Sequence, residues 1–237
     1  TVTLGDADGG EGGGIDYAGR GVLQIDNAFI EYNHSTSGDG GGIRFQSLGG
    51  PAFLEVARTS LRYNNAEENG GALVAGSENM ARRATVTLGD DVRVENNRAR
   101  LKGGGLFLHR WVVLAMNGER NLVAGNDGFF GGGLGIGFPL DENGVTADIS
   151  ASKIPGHSGV FERNSAGNGG SAISVFNNSK GDPSARVRIY SRSAEPFIIA
   201  ENRTTGSEFG ALTVGQNSRV CLANVGFQGN IGTLGAA

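Results

Sequence analysis

Two short motifs recur along the whole chain of 237 residues, and their spacing constrains the fold more than any other feature. The first is an apolar residue, two further residues and asparagine, and it occurs at Ile30–Asn33, Leu61–Asn64, Val94–Asn97, Val123–Asn126, Phe161–Asn164, Ile199–Asn202 and Phe227–Asn230. The second is a pair of small residues before Ile or Leu, and it occurs at Gly13–Ile15, Gly41–Ile43, Gly71–Leu73, Gly104–Leu106, Gly132–Leu134, Ser171–Ile173 and Gly210–Leu212. Each of the first six asparagines precedes the next such aliphatic residue by 8 to 10 positions. This regularity predicts a repeated supersecondary unit.

Short stretches of alternating apolar and polar residues complete each unit. Val86 and Leu88 form one such stretch before the first motif, and Leu106 and Leu108 form another after the second motif. Alternation with period two indicates half-buried strands, and no long segment has a convincing helical period. Three-strand units with one apolar face must stack to bury that face. The sequence therefore predicts an all-β, right-handed, single-stranded parallel β-helix of about seven rungs, as one domain over residues 1–237.

Both ends of this solenoid are expected to be truncated. Residues 1–6 match residues 85–90 one for one, so the chain is predicted to open on a middle strand. At the other end, no second motif follows Asn230. We therefore expect the domain to be a fragment of a larger protein, whose open strand edges permit end-to-end self-association.

Composition excludes several other classes of protein. The 43 glycines are clustered, which excludes collagen, and a hydrophobic content of 38% with a net charge of −4 argues against disorder. A pI of about 5.4 argues against nucleic-acid binding, and no apolar run in this segment is long enough for a membrane span. Cys221 alone can form neither an intrachain disulfide nor a cysteine zinc site.

Glycine and asparagine have structural roles in such a fold. Both residues tolerate positive φ, so we expect them at the sharp turns between strands. Stacked asparagine side chains are expected to hydrogen-bond along the axis, and paired small residues to let successive turns approach closely.

The two motifs together resemble the repeats of the polymorphic outer-membrane proteins of chlamydiae and of related bacterial surface proteins, which read Phe-x-x-Asn and Gly-Gly-Ala-Ile/Leu/Val. The resemblance covers about residues 12–234. Phe161 and Phe227 give the Phe form, and Gly71-Ala72-Leu73 comes close to the second motif, whereas most units have the Gly-Gly-Ile/Leu form. In that family the repeats form an autotransporter passenger that is displayed outside the cell. The resemblance implies export to the bacterial cell surface or secretion, and a virulence-related role in adhesion or display. It also implies a glycan or host-surface receptor as partner, and no catalytic residues.

An enzyme is the alternative, because parallel β-helices also carry polysaccharide lyases and hydrolases. The residues predicted to point outward beside the first motif are Glu31, Arg62, Glu95, Ala124, Glu162, Ala200 and Gln228. Their alternating charges predict a solvated ladder of weak ion pairs. The outward column of the middle strands reads Gln24, Glu55, Thr87, Val113, Asp148, Arg188 and Cys221, again without an acid pair. The sequence thus favours a non-catalytic module without a cofactor over a lyase, hydrolase or depolymerase fragment acting along the solenoid face.

Calcium is the one metal that the sequence suggests. Asp6, Asp8 and Glu11 surround a glycine pair and offer the oxygen ligands that Ca²⁺ prefers. The segment lacks the later bidentate Glu of a complete calcium loop, so a solvated acidic loop is the alternative.

Insertions indicate where a ligand would bind. The units ending at Ile173 and Leu212 span 39 residues each, against 28 for the first. The extra length falls at about 137–143, 150–159, 177–184 and 191–197, and insertions in repeats often share one binding face. The predicted ligand contacts are Trp111, Arg110, Asn177, Asn178, Lys180 and Arg192. For Trp111, stacking on a sugar ring competes with capping the core, which we favour.

Overall fold

The structure is a computed structural model that describes residues 11–78, 80–137, 144–176, 185–206 and 209–232, together with the backbone of residues 2–3 and 6–7. These residues form 27 β-strands and one short 3-10 helix, Met80–Arg82. Every named strand pair is parallel and joins one turn to the next, so the chain is a parallel β-solenoid. The stack amounts to about six turns, close to the seven rungs expected. The all-β solenoid prediction is confirmed, and its right-handedness stays a prediction.

Three sheets extend along the solenoid, and their strands are numbered in chain order. Sheet I contains β1 (Val2–Thr3), β4 (Phe29–Glu31), β7 (Ser60–Arg62), β11 (Arg93–Glu95), β15 (Leu122–Ala124), β19 (Phe161–Glu162), β23 (Phe197–Ala200) and β27 (Val225–Gln228). Sheet II contains β2 (Asp6–Ala7), β5 (His34–Ser35), β8 (Asn65–Ala66), β12 (Arg98–Lys102), β16 (Asp127–Phe130), β20 (Ser165–Ala166) and β24 (Arg203–Thr204). Sheet III contains β3 (Ile15–Asp26), β6 (Ile43–Ala57), β9 (Leu73–Ser77), β10 (Ala84–Leu88), β13 (Leu106–Leu108), β14 (Val112–Met116), β17 (Leu134–Ile136), β18 (Thr146–Ile149), β21 (Ile173–Val175), β22 (Arg186–Tyr190), β25 (Leu212–Val214) and β26 (Arg219–Ala223).

Each turn passes through sheets III, I and II and then returns to sheet III. The first motif supplies the strands of sheet I, and the second motif opens the return strand in sheet III. Strand β10 shows how the core forms, since Val86 and Leu88 are buried while Thr85 and Thr87 are half-buried on the outer side. This period-two burial is what the alternating sequence predicts.

The motif asparagines form a continuous ladder beside the core. Each Nδ2 donates to the Oδ1 of the asparagine one turn on, over 2.9–3.0 Å, through Asn33, Asn64, Asn97, Asn126, Asn164, Asn202 and Asn230. The first six are at most 1% exposed. From Asn64 onward, each Nδ2 also donates to the carbonyl of the apolar motif residue one turn back. The predicted side-chain ladder is confirmed.

Positive φ is found one residue before each ladder asparagine and not at the asparagine itself. These residues have φ between 51° and 63°, and they are Tyr32, Tyr63, Asn96, Gly125, Arg163, Glu201 and Gly229. The expectation that the motif asparagines adopt positive φ was therefore wrong. The asparagine is needed for its side-chain bonds, and these bonds hold the preceding residue in a backbone conformation that non-glycine residues rarely adopt.

The small residues of the second motif allow successive turns to approach closely. A Cβ atom added to Gly104 would lie 2.3 Å from the carbonyl oxygen of Asp127, and one added to Gly71 would lie 2.2 Å from that of Gly104. Both distances are far below van der Waals contact, so the prediction of close stacking is confirmed.

Two register predictions were wrong. Val2 pairs with Ile30, which places the first strand in sheet I, so the match of residues 1–6 to residues 85–90 is not a structural equivalence. Ala115, and not Val113, aligns with Thr87 and Asp148 in the outer column of sheet III. A shift of two residues keeps every side chain on the same face, so the alternation of apolar residues does not distinguish between these registers.

Candidate functional site

The corner between sheets III and I carries a row of cavities, which we call the corner groove. It comprises the segments 24–31, 55–62, 87–93, 117–122, 150–160 and 191–198, one from each successive turn. Three cavities of about 490, 400 and 350 Å³ lie along it. Turns in a parallel sheet are spaced by about 4.8 Å, so six turns give a groove of roughly 25 Å.

Two insertions build the largest of these three cavities, which we call the insertion cleft. The segments 150–159 and 191–197 both connect sheet III to sheet I, on consecutive turns, and both line this cleft. The insertions at 137–143 and 177–184 come in the chain between β17 and β18 and between β21 and β22, and apart from Gly137 they lie outside the described residues. The two described insertions share one face, and the expectation that all four do so stays a prediction.

The insertion cleft is lined by hydroxyl groups above the apolar core. Ser150, Ser152, Ser191 and Ser193 line it, together with Val160, Phe197 and Ile198, which are at most 5% exposed. Ser150 is only 5% exposed, and its Oγ has no hydrogen-bond partner among the residues that the structure describes. Because the Ser150 Oγ is itself closed to solvent, a ligand in the cleft does not reach it in this conformation.

Charged side chains of both signs surround the cleft. Lys153 and Arg192 are exposed on the two insertions, and Arg192 Nη1 is 3.4 Å from the carbonyl oxygen of Asn117. Asp90, Glu119 and Glu195 also line the cleft. Asp90 already has a hydrogen-bond partner, because its Oδ1 accepts the backbone N–H of Glu119 at 2.8 Å.

The first insertion also forms a strap, residues 152–159, over the outer face of sheet I. The backbone N–H groups of Arg120 and Asn121 donate to the Oγ and carbonyl oxygen of Ser152, at 3.1 and 3.0 Å. At the other end of the strap, Ser158 Oγ donates to Glu201 at 2.8 Å. The strap is thus fixed to the turn before it and the turn after it.

The strap accounts for the burial of Glu162, which faces outward on sheet I. Ala124, Glu162 and Ala200 align in one outward column, and they are 4%, 0% and 1% exposed. The sequence predicted that this column would be a solvated charge ladder. That holds for Arg62, whose Nε donates to Glu31 at 2.7 Å, but it was wrong for Glu162 because the strap excludes solvent there.

Glu162 holds the strap in place. Its Oε2 accepts the backbone N–H groups of Ser158 and Gly159 at 2.7 and 3.0 Å, and its Oε1 lies 2.8 Å from His157 Nδ1 and contacts the Arg163 guanidinium. Burial raises the pKa of Glu162, but the hydrogen bonds from His157 and Gly159 and the charge of Arg163 outweigh it, so the pKa is lowered overall. The buried carboxylate is therefore ionised at neutral pH.

The other end of the corner groove is rich in arginine. A depression of about 400 Å³, which we call the arginine pocket, is lined by Ala28, Phe29, Arg58, Thr59, Ser60, Arg62, Asp91 and Arg93. Arg120 binds Asp91 with two hydrogen bonds of 2.7 and 2.6 Å. The hydrogen bond from Arg120 is the main reason why the pKa of Asp91 is lowered.

The sequence-predicted ligand contacts are scattered over the structure. Arg192 is the one that lines the insertion cleft. Trp111 is 7% exposed, and a Cβ added to Gly144 would lie 2.0 Å from its ring, so the indole is packed against backbone and presents little surface to a sugar. Arg110 is half-buried beside it. Asn177, Asn178 and Lys180 lie outside the described residues.

The proposed calcium ligands are also only partly described. Glu11 pairs with Arg44 of the next turn, the backbone of Asp6 pairs with that of His34, and Asp8 lies outside the described residues. In the described part of the chain, no group of three or more His, Cys, Asp or Glu side chains is arranged to hold a metal.

Sequence reasoning missed Ser150, Lys153 and Arg93. Serine, lysine and arginine are common on surfaces, so residue type gave no signal. The position of Ser150 and Lys153 at the start of an insertion was the signal available. For Arg93, the available signal was its position directly before the apolar motif residue Val94, because a residue at that position faces outward.

Comparisons with protein-family models, curated proteins and solved structures gave no match to this chain. Within the described ranges, the structure contains no helix long and apolar enough to cross a membrane. Function is therefore inferred from the geometry of the corner groove and from the sequence motifs.

Proposed function

We propose that the chain is a non-catalytic β-solenoid module, at the bacterial cell surface or secreted, that binds a glycan along the corner groove and serves adhesion or display. The insertion cleft is the observation that carries this proposal. Consecutive insertions enclose about 490 Å³ there, within the range of small-molecule sites. Surface display in the manner of an autotransporter passenger rests on the motif resemblance alone.

Sugar rings match the chemistry of the cleft. A pyranose carries a rim of hydroxyls, and the cleft is lined by serine hydroxyls and by charged side chains of both signs that can hydrogen-bond such a rim. The exposed side chains of Lys153 and Arg192 add hydrogen-bond donors for the oxygens of a sugar.

Repetition along the groove favours a linear polymer over a single small molecule. The cavities follow one another along the solenoid axis, so successive sugar units would meet similar backbone surroundings turn after turn. The interturn hydrogen bonds of the asparagine ladder make the scaffold stiff, so little ordering entropy is lost when an extended ligand binds.

The test is a panel of neutral and acidic polysaccharides assayed for binding and, in parallel, for new reducing ends and unsaturated products, with and without Ca²⁺. We expect binding without turnover. Lys153→Gln and Arg192→Gln should weaken binding of a cleft ligand several-fold, whereas Arg203→Gln, an exposed arginine of sheet II, should leave it unchanged. Failure of every glycan to bind would refute the proposal.

A polysaccharide lyase or glycoside hydrolase is the second candidate, because Asp90, Glu119 and Glu195 line the same cleft. Glycoside hydrolysis requires two carboxyl groups on either side of the scissile bond. Glu195 forms no ion pair with any described residue, so it is the first residue to replace if products appear. Loss of turnover in Glu195→Gln with retained binding would establish the enzyme. The outward carboxylates of sheet III have partners, since Gln24 donates to Glu55 at 2.7 Å and Arg188 pairs with Asp148.

A further inference from the structure

The arginine pocket arises from side-chain size along one column of sheet I. Phe29, Ser60 and Arg93 align directly on three successive turns. The small Ser60 side chain, which is 8% exposed, forms the floor between two large neighbours. Two turn spacings separate these neighbours by roughly 10 Å, enough for a sugar ring between them.

Positive charge dominates the lining of the pocket. Three guanidinium groups, from Arg58, Arg62 and Arg93, face one carboxylate, that of Asp91. The double hydrogen bond from Arg120 occupies Asp91, so its charge is largely neutralised. The pocket therefore offers more donors and more positive charge than its own carboxylate can satisfy.

Arg93 is the guanidinium with free donors. Arg58 pairs with Asp26, and Arg62 pairs with Glu31. The exposed side chain of Arg93 has neither a hydrogen bond nor an ion pair with any residue in the described part of the chain. Its positive charge acts on Asp91, where it helps to lower the pKa of that carboxyl. A free guanidinium presents a planar fork of donors that matches a carboxylate or a sulfate.

An aromatic ring completes the pocket. Phe29 is 47% exposed, and the guanidinium carbon of Arg62 lies 6.0 Å from the centre of its ring. An exposed ring beside cations is suited to stacking against the apolar face of a sugar whose acidic group reaches the arginines.

We propose that the arginine pocket binds the acidic group of an anionic polysaccharide, with Arg93 holding the carboxylate or sulfate and Phe29 stacking on the sugar ring. This site would extend the glycan-binding groove of the proposed function, on which it rests. Such a ligand would enter the groove at its arginine-rich end and continue towards the insertion cleft.

The test measures binding of the full chain to four polymers by isothermal titration calorimetry. Polygalacturonate carries carboxylates, dextran sulfate carries sulfates, unmodified dextran is neutral, and single-stranded DNA is a polyanion of another class. We expect at least one of the two acidic polysaccharides to bind more tightly than dextran. The one that binds more tightly shows whether the pocket prefers a carboxylate or a sulfate. Arg93→Gln should weaken that binding about tenfold and reduce its salt dependence, as loss of one ionic contact predicts.

Matched variants distinguish binding at the arginine pocket from nonspecific electrostatic attraction of a polyanion to the protein. Arg203→Gln removes the same charge from sheet II and should leave the affinity unchanged. Phe29→Leu should weaken polysaccharide binding and leave DNA binding as it was. Wild-type affinity in Arg93→Gln, or DNA bound as tightly as the polysaccharides, would overturn the inference. If neutral and acidic glycans bind equally well, the inference is overturned but the proposed function stands. If no glycan binds, both are refuted.

Discussion

Replacing one central asparagine of the ladder should destabilise the protein strongly, and the contacts of Asn97 allow the cost to be worked out. Its Nδ2 donates to Asn126 Oδ1 at 3.0 Å and to the Leu61 carbonyl at 2.8 Å. Its Oδ1 accepts the backbone N–H of Asn64 at 2.9 Å and the Nδ2 of Asn64 at 3.0 Å. Asn97→Ala removes all four bonds in a place where the side chain is 1% exposed.

The magnitude follows from these four bonds. A protein hydrogen bond contributes about 1 kcal/mol net, and a buried donor left without a partner costs about 1–3 kcal/mol. Asn97→Ala leaves both donors of Asn64 without their acceptor. We therefore expect the free energy of unfolding to fall by about 4 kcal/mol, a large part of the stability of an ordinary domain.

Urea unfolding followed by circular dichroism measures this loss, with the slope of the transition compared between variants to detect partly unfolded turns. Glu95→Ala is the matched control, because Glu95 lies two residues away on the outer face of the same sheet and should change stability by less than about 0.5 kcal/mol. A loss below about 1 kcal/mol for Asn97→Ala, or an equal loss in the control, would refute the ladder as a major source of stability.

Three further predictions follow from other contacts. Gly104→Ala should prevent folding or lower the melting temperature sharply, because its Cβ would lie 2.3 Å from a carbonyl oxygen; a melting curve like that of the wild type would contradict the close packing. The folded-state pKa of Glu162 lies below its ordinary value of 4.5, so the stabilising effect of its carboxylate is complete above pH 4.5 and is lost as the pH falls through the folded-state pKa. The melting temperature of Glu162→Gln should not show this loss at acid pH. Burial raises the pKa of Asp39 from 3.8 to about 6, so the protein should become more stable as the pH falls from 6 to 3.8. At pH 7, Asp39→Asn should be more stable than the wild type by about 2 kcal/mol. Equal melting temperatures of the two proteins at pH 7 would contradict this prediction.

The sequence predicted the scaffold because its signals are local and repeated. An asparagine every turn, three positions after a buried apolar residue, identifies the ladder from Asn33 to Asn230 without any knowledge of the fold. The same repetition identified the small residues that the close approach of turns requires. Repeats supply the same evidence several times over, which single motifs do not.

The candidate site was harder to predict because it depends on where irregular segments lie. The insertion 150–159 was visible as extra length, but nothing in its sequence indicated that it crosses sheet I and buries Glu162. By contrast, the column of Phe29, Ser60 and Arg93 was available from the motif register, since each residue directly precedes the apolar motif residue. The alignment of Ala115 with Thr87 could not be read from the sequence, because Val113 and Ala115 both face outward.

Hydrogen–deuterium exchange with and without a bound oligosaccharide from the polysaccharide panel tests most directly whether the corner groove binds a glycan. Amide protection should increase in segments 89–93, 117–122, 150–160 and 191–198, while the strands of sheet II exchange as they do in the free protein. Protection confined to sheet II, or unchanged exchange in the groove at saturating oligosaccharide, would contradict the assignment of this corner as the binding face.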